Sequence, residues 1–248
     1  MQSLKGQNVV VVGGSRGVGR SIVEAALGEG ATVLAVARGT EALKELSWEA
    51  SGVKTLAADA TQDTAPDAVF AAMQPDVLVI CAGAYAPSAS IQDQSWDDFS
   101  ANWETDVKVS FLFCRAALQG RLKPGSRVVL ISSGAAFSGG PPNSGGYSGA
   151  KQMQMFLAAH SQKEADRLGL GLRFMALAPM RIMTGTGVGQ RGILGISAYL
   201  GISPADFLAS MSDVQTPADV GRAVVALAGG KVQGTAFTVS GSGLAAAA

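Results

Sequence analysis

The sequence has little of several features that would define a function at once. Its 248 residues include two cysteines and one histidine, which give no disulfide framework and argue against a histidine-based metal site or a serine–histidine triad. The charges of nineteen basic and nineteen acidic residues cancel. The sequence has no stripe of basic residues that would indicate nucleic acid or a membrane as a partner. Apolar runs such as residues 9–12 and 128–131 have the length of strands, far below the ~20 residues of a membrane span.

The remaining composition is that of a compact intracellular protein. The chain is 48% hydrophobic and 15% charged, so it can bury a large core. Its first residues show no signal-peptide pattern, and Cys81 and Cys114 are expected to be buried thiols in a reducing compartment. We therefore expect one cytoplasmic domain over residues 1–248.

Short apolar runs alternate with segments of helical period along the chain. Strands are predicted at residues 9–12, 33–37, 53–58, 77–82, 127–132, 172–178 and 235–239. Helices are predicted near residues 17–29, 40–50, 65–73, 95–118, 147–168 and 217–228. This alternation predicts an α/β fold: a single-domain, Rossmann-type, doubly wound parallel sheet of about seven strands with helices on both faces.

Two segments fall outside this series. Residues 185–212 are irregular but rich in Gly, Met, Ile and Leu, and a segment of this kind in a compact domain is usually a functional lid. We expect it to be the substrate loop. Residues 244–248 are expected to be a tail.

The first strand leads directly into a glycine-rich turn, residues 13–19, that opens a helix. Such a turn brings backbone N–H groups and the positive end of a helix to a pyrophosphate, although the spacing here is G-x-x-x-G-x-G. The second strand ends without the carboxylate that holds the ribose of NAD, and Arg38 stands there instead. Arg16 in the turn and Arg38 would suit a 2′-phosphate, which favours NADP(H) over NAD.

Tyr147 and Lys151 are four residues apart on a predicted helix and therefore share one face. Lys151, as a cation, favours the phenolate form of Tyr147. The phenol can then exchange a proton with a carbonyl or alcohol oxygen near neutral pH. The single histidine, His160, is about 220° around the helix from Tyr147 and is expected to face away from the site.

Together these features resemble the short-chain dehydrogenase/reductase family over essentially the whole chain. The motifs that carry the resemblance occur in the family's order: the glycine turn 13–19, Asp59, Ala82-Gly83, Ser132-Ser133, Tyr147/Lys151 and Pro179…Thr184. The resemblance implies that Tyr147 is the general acid/base, that Lys151 holds the nicotinamide ribose, and that Ser133 binds the substrate oxygen. The cofactor-binding residues that it and the glycine turn imply are Gly13, Ser15, Arg16, Gly17, Val18, Gly19, Arg38, Asp59, Ala60, Ala82, Gly83, Tyr147, Lys151, Pro179, Ile182 and Thr184.

Four positions depart from the family pattern: Val12, Cys81, Met180 and Asp106. Asp106 stands where the family has an asparagine that supports a water relay from the lysine. An ionised Asp106 near Lys151 would offset the pull of the ammonium on Tyr147, whereas a protonated one would mimic the amide. A third interpretation is that Asp106 only caps a kink, so its catalytic role is a hypothesis.

The gap after Ser133 is one residue longer than usual, so Ser132 and Ser138 stay alternatives for the substrate-binding serine. Side chains expected at the substrate are mostly apolar: Tyr85, Phe137, Met180, Met183, Ile193, Leu194, Tyr199, Leu200, Phe207 and Met211. Arg181 and Arg191 are the cations that could hold a carboxylate.

The favoured function is NADP(H)-dependent interconversion of a carbonyl and an alcohol on a medium-sized, largely apolar substrate. Alternatives are reduction of an imine or enone, of a carrier-bound ketoacyl group, or a catalytically silent NADP(H)-binding sensor. Family habit implies a homodimer or homotetramer.

Overall fold

The computed structural model describes residues 3–85, 87–211, 215–230 and 232–247. Strands and helices alternate along this part of the chain. The strands are β1 Asn8–Val12, β2 Thr32–Ala37, β3 Lys54–Ala57, β4 Val77–Ile80, β5 Arg127–Ile131, β6 Arg173–Pro179, β7 Ala236–Ser240 and β8 Gly243–Ala246. The α-helices are α1 Gly17–Gly28, α2 Thr40–Glu49, α3 Ala65–Ala72, α4 Trp96–Asn102, α5 Lys108–Ala116, α6 Gly145–Arg167, α7 Gly187–Leu200, α8 Pro204–Ser210 and α9 Pro217–Gly229.

Within these described ranges, eight strands form one sheet in the order β3-β2-β1-β4-β5-β6-β7-β8. All neighbours pair in parallel except β7 and β8, which are antiparallel. The order reverses between β1 and β4, and a cleft is expected beyond the carboxyl ends of strands at such a point. The predicted single α/β domain with a doubly wound sheet is confirmed in its fold class.

The sheet is covered by a separate core on each face. Alternate residues of β1 divide between them, with Val9 and Val11 in one cluster and Val10 and Val12 in the other. The first cluster includes residues of α1 and α9, and the second includes residues of α3, α5 and α6. Burial on both faces explains why the strands are continuous apolar runs rather than alternating ones.

The predicted helix 95–118 is helical throughout but not uniform. A π turn at Trp103–Val107 separates α4 from α5, and a second π turn follows at Ala117–Arg121. A π turn inserts an extra residue and rotates the side chains that follow it. The first one contains Asp106, which is buried.

The segment expected to be an irregular loop, 185–212, consists mainly of two helices. Thr186 caps the start of α7 by accepting a hydrogen bond from the Gly189 N–H, and Gly201 ends it in the left-handed conformation at φ 67°. Ser203 caps α8, whose first residue is a proline. The many glycines of this segment made its helical period too weak to recognise in the sequence. Ser212 lies outside the described residues.

The prediction of a tail at residues 244–248 is also corrected by the structure. Residues up to Ala246 form β8, in which Leu244 pairs with Val239. Its alanines have little strand propensity, but the exposed edge of β7 supplies unpaired backbone groups to bind. Ala248 lies outside the described residues.

Among the described helices, none is by itself long and apolar enough to cross a membrane. The pair α7 and α8 meets the length and composition criteria together, but it is bent by 101°.

Candidate active site

A cleft of about 940 Å³ lies at the carboxyl edge of the sheet, where the strand order reverses. The four residues with predicted catalytic roles, Ser133, Tyr147, Lys151 and Asp106, all line it. The predicted cofactor residues that line it are Gly13, Ser15, Arg16, Gly17, Val18, Gly19, Arg38, Asp59, Ala60, Ala82, Gly83, Tyr147, Lys151, Pro179 and Ile182. The fold therefore brings together residues that are far apart in the sequence.

The glycine turn lies between the end of β1 and the start of α1. A Cβ at Gly19 would overlap the Gly13 carbonyl oxygen, so only glycine permits this close approach. The helix begins at Gly17 with no side chain capping it, which leaves its first N–H groups directed to the cleft edge. These features fit a pyrophosphate.

Two exposed arginines of the predicted cofactor set line the cleft. Arg16 precedes α1, and its guanidinium carbon lies 4.9 Å from the ring centre of Tyr85. Arg38 follows β2 directly, near Asp59. Hydrogen bonds from the Thr61 N–H and hydroxyl lower the pKa of Asp59, with a smaller contribution from Arg38. Neither arginine forms an ion pair with a carboxylate in the described parts of the chain.

One predicted cofactor residue is placed elsewhere. Thr184 is exposed and does not line the cleft, whereas Thr186 is buried, lines it, and lies near Gly17. The reason is local, because Thr186 must turn inward to cap α7. Sequence reasoning missed Thr186, although a threonine three residues before Gly189 at a helix start is a capping signal.

The predicted serine, tyrosine and lysine of the site come from two neighbouring elements, α6 and the end of β5. Tyr147 and Lys151 lie one turn apart on α6, and the Lys151 Nζ is 5.6 Å from the Tyr147 ring centre. Ser133 follows β5, and its Oγ accepts a hydrogen bond from the Ala135 N–H at 3.2 Å. The Ser133 hydroxyl hydrogen can therefore be donated to a substrate oxygen.

The neighbouring serine has a different position. The Ser132 Oγ donates to the Lys151 backbone carbonyl at 2.7 Å, so it ties β5 to α6. Ser138 lines the cleft in the loop beyond, with a positive φ of 53°. His160 is exposed on α6 and stacks on Phe156, away from the cleft lining.

The ammonium of Lys151 is held by three protein oxygens. Its Nζ lies 3.0 Å from Asp106 Oδ2, 2.9 Å from Gln154 Oε1 and 3.2 Å from the Ile131 carbonyl oxygen. These acceptors match its three hydrogens. Burial alone would lower the pKa of Lys151, but attraction to Asp106 and then to Tyr147 outweighs it, so the pKa is raised.

Asp106 is surrounded by donors. Its Oδ1 accepts from the Ala84 N–H at 2.8 Å and from the Asn102 amide at 3.1 Å, while Oδ2 faces Lys151. All these partners donate, which suits an ionised carboxylate. A Cβ at Gly83 would lie 2.8 Å from Oδ2, so glycine makes room for the carboxylate.

Cys81 occupies the end of β4 beside this pair. Burial raises the pKa of its thiol to about 11, with Lys151 opposing and Asp106 adding to the effect. Cys81 is half-buried and lines the cleft as a neutral group, so the expectation that both thiols are buried holds only for Cys114.

Three buried residues of this network were missed by sequence reasoning: Asn102, Ser110 and Gln154. Asn102, Asp106 and Ser110 follow one another at intervals of four, and Gln154 stands three residues after Lys151. Polar residues at helical spacing among apolar ones were the available signal.

Fewer side chains line the substrate end of the cleft than the sequence predicted. Tyr85, Phe137, Met180 and Met183 line it, as do Arg181 and Arg191. The remaining residues of the predicted set do not line it: Ile193, Leu194, Tyr199, Leu200, Phe207 and Met211. Four of them are on α7 itself, where Val188 and Ile196 line the cleft instead, and Phe207 and Met211 follow that helix in the chain.

The described residues contain no group of three or more His, Cys, Asp or Glu side chains that could hold a metal ion. A nucleotide cleft at a strand-order switch point, with a Tyr–Lys pair beside it, defines the class of nicotinamide-dependent oxidoreductases. The model of the short chain dehydrogenase family matches residues 7–191. The chain belongs to this family.

Curated relatives agree with this assignment. An uncharacterized short-chain type dehydrogenase/reductase of Sinorhizobium fredii is 28% identical over 186 residues, 74% of each chain. A 2-(S)-hydroxypropyl-CoM dehydrogenase of Xanthobacter autotrophicus is 30% identical over 96% of each chain. The L-xylulose reductase of Bos taurus is 32% identical over 140 residues, 55% of this chain and 57% of its own length.

Proposed function

We propose that this protein is an NADP(H)-dependent oxidoreductase that interconverts a carbonyl and an alcohol on a medium-sized, largely apolar substrate. The observation that carries the proposal is the convergence of Ser133, Tyr147 and Lys151 on a cleft whose other end is a glycine turn. When bound there, the nicotinamide supplies the hydride. The protein's part is to orient the substrate oxygen and to move one proton.

Each of the three side chains has a role that its contacts support. Ser133 keeps a hydroxyl hydrogen for the substrate oxygen, where charge develops during reduction. Tyr147 donates its phenolic proton to that oxygen and takes it back in oxidation. The Lys151 ammonium, 5.6 Å from the phenol ring centre, stabilises the phenolate that this transfer leaves.

Asp106 adds a second charge to this site. We propose that it is ionised and moderates the field of Lys151 on Tyr147, because its Oδ2 lies 3.0 Å from the ammonium. Lys151 is also the residue that would hold the ribose hydroxyls, and its present acceptors would have to share its hydrogens with them.

The preference for NADP(H) is supported by charge at the end of β2. Arg38 directly follows β2 and Arg16 lies in the glycine turn; both line the cleft, and neither is neutralised by an ion pair among the described residues. The nearest following acid, Glu41, is exposed, forms an ion pair with Lys44, and does not line the cleft. A 2′-phosphate at the end of β2 would therefore meet the Arg38 guanidinium and no carboxylate from β2, and Arg16 would have to leave Tyr85 to join it.

Fluorescence titration with NADPH and NADH tests this preference. Arg38→Gln and Arg16→Gln should each weaken NADPH binding about tenfold or more and leave NADH binding nearly unchanged, since only NADPH carries the extra phosphate. Arg167→Gln is the matched control, because Arg167 is an exposed arginine that forms an ion pair with Glu164 outside the cleft. Equal losses for both cofactors would contradict the proposal.

The substrate proposal has support from the apolar lining around Tyr147. Phe137, Met180, Met183 and Ile196 offer an adaptable surface, and α7 borders it. We propose that residues 185–212 act as the substrate lid. NADPH oxidation with a panel of ketones, aldehydes and imines, with Tyr147→Phe as control, tests it. A preference for small, strongly charged carbonyls would contradict it.

A catalytically silent NADP(H)-binding sensor is a second candidate. The observation in its favour is that all three Lys151 hydrogens already have protein acceptors. Tight NADPH binding with no turnover across the carbonyl panel would select the sensor. The cytoplasmic location and a homodimer or homotetramer stay predictions; gel filtration with light scattering tests the latter.

A further inference from the structure

Helix α6 carries a glutamine, Gln154, that has no exposed surface and lies one turn after Lys151. Its Oε1 accepts from the Lys151 Nζ at 2.9 Å. Its Nε2 donates to the Ser110 Oγ at 2.9 Å and approaches the Asp106 carbonyl oxygen at 3.5 Å. A buried amide is costly unless it is paired, and this one is paired at both ends.

The chemistry of the partners fixes the orientation of this amide. An ammonium can only donate, so the oxygen of Gln154 must face Lys151 and its nitrogen must face Ser110. The Ser110 hydroxyl donates in turn to the Asp106 carbonyl at 2.7 Å, so its oxygen is left to accept. A directed chain of hydrogen bonds thus runs from Lys151 through Gln154 and Ser110 to the backbone of the π turn.

This chain gives the Lys151 ammonium a fixed neutral acceptor beside Asp106. Of the three acceptors around the ammonium, only Asp106 carries a charge, and Gln154 and the Ile131 carbonyl are neutral. The titratable groups that act on the ammonium are Asp106 from the π turn, Tyr147 from the preceding turn of α6, and Cys81 from the end of β4. Without Gln154, the ammonium would keep one neutral acceptor beside the charged Asp106, already 3.0 Å away, so its pairing with the carboxylate would weigh more and its effect on Tyr147 less.

We propose that Gln154, oriented by Ser110, is a positioning residue that holds the Lys151 ammonium between Asp106 and Tyr147 and so sets the pH at which Tyr147 exchanges its proton. The inference rests on the proposed acid/base role of Tyr147. In this role, Gln154 would act through Lys151 and not on the substrate itself.

A phenolate titration tests this without turnover. The chain has three tyrosines, so the ultraviolet difference between each variant and the same variant with Tyr147→Phe isolates the Tyr147 phenolate. Gln154→Met keeps the approximate volume and removes the acceptor. We expect the Tyr147 titration midpoint to rise by about half a pH unit or more. Ser110→Ala should move it in the same direction by less.

Gln162→Met is the matched control. Gln162 is also buried on α6, where it holds Asp166 and the backbone of residues 172 and 174, but it does not contact Lys151. It should lower thermal stability and leave the Tyr147 midpoint unchanged. If Gln154→Met behaves in the same way, Gln154 is only structural and the inference is overturned.

Two further outcomes keep the test decisive. If Gln154→Met does not fold, Ser110→Ala decides, because a midpoint equal to that of the parent overturns the proposal. If no carbonyl is turned over but the titration shifts, the proposed function fails and the positioning role stands. If a carbonyl is turned over but the Tyr147 midpoint does not move in Gln154→Met, the proposed function stands and the positioning role fails.

Discussion

Asp106→Asn is expected to move the pH profile of alcohol oxidation to lower pH. The Lys151 Nζ lies 3.0 Å from Asp106 Oδ2 and 5.6 Å from the Tyr147 ring centre. The carboxylate is therefore within about 8.6 Å of that ring, where it disfavours a phenolate by ~2 kcal/mol at an effective dielectric constant of about 20. Asparagine keeps an acceptor for the Ala84 N–H but removes this charge.

An energy of that size corresponds to a shift of roughly 1.4 pH units. The assay is the pH dependence of kcat and of kcat/KM for oxidation, with the best alcohol identified from the carbonyl panel. The rising limb of both profiles should move to lower pH by about one unit in the variant.

Asp76→Asn is the matched control for this prediction. Asp76 also accepts a backbone N–H, from Asn8, and forms an ion pair with a lysine, Lys123, but it does not line the cleft. Its profile should coincide with that of the parent. If Asp106→Asn also leaves the profile unmoved, the carboxylate does not moderate the field at Tyr147 and the electrostatic reasoning is refuted.

Three further predictions follow from packing and burial. Gly19→Ala should abolish cofactor binding in a fluorescence titration, because its Cβ would overlap the Gly13 carbonyl; retained affinity would contradict this. Burial raises the pKa of Cys81 to about 11 and that of Cys114 to about 12, so native protein should react with a disulfide reagent at pH 8 about a hundredfold slower than a free thiol. Rapid labelling would refute it. Because the pKa of Lys151 is raised in the folded protein, its ammonium stabilises the fold fully below pH 10.5, which is the ordinary pKa of lysine. This stabilisation is lost as the pH rises further. The melting temperature should therefore fall more steeply above pH 10.5 than in Lys151→Met.

The cleft shows why some site residues were accessible to sequence reasoning. The glycine turn and the Tyr147–Lys151 pair are defined by short spacings, and short spacings survive folding unchanged because backbone geometry fixes them. Ser133 and Asp59 were proposed from the family resemblance, and both line the cleft because each follows a strand and the carboxyl ends of parallel strands meet at one edge. Thr184 is exposed outside the cleft lining because Thr186 is the residue that turns inward to cap α7.

Other features depended on contacts between distant segments. Residues 185–212 have no clear period because of their glycines, and they become helical where caps and packing against the cleft favour it. The alanines of β8 are a strand only because the edge of β7 is there to pair with. Neither outcome is encoded in local propensity.

By itself, the sequence determined the alternation of strands and helices, the glycine turn and the spacing of Tyr147 and Lys151. These are properties of neighbouring residues and of apolar periodicity. Only the tertiary structure decided how the charge on Lys151 is held, because its partners Asp106, Gln154 and Ile131 come from three different elements. The strength of a charge depends on what surrounds it after burial, and burial is a property of the whole fold.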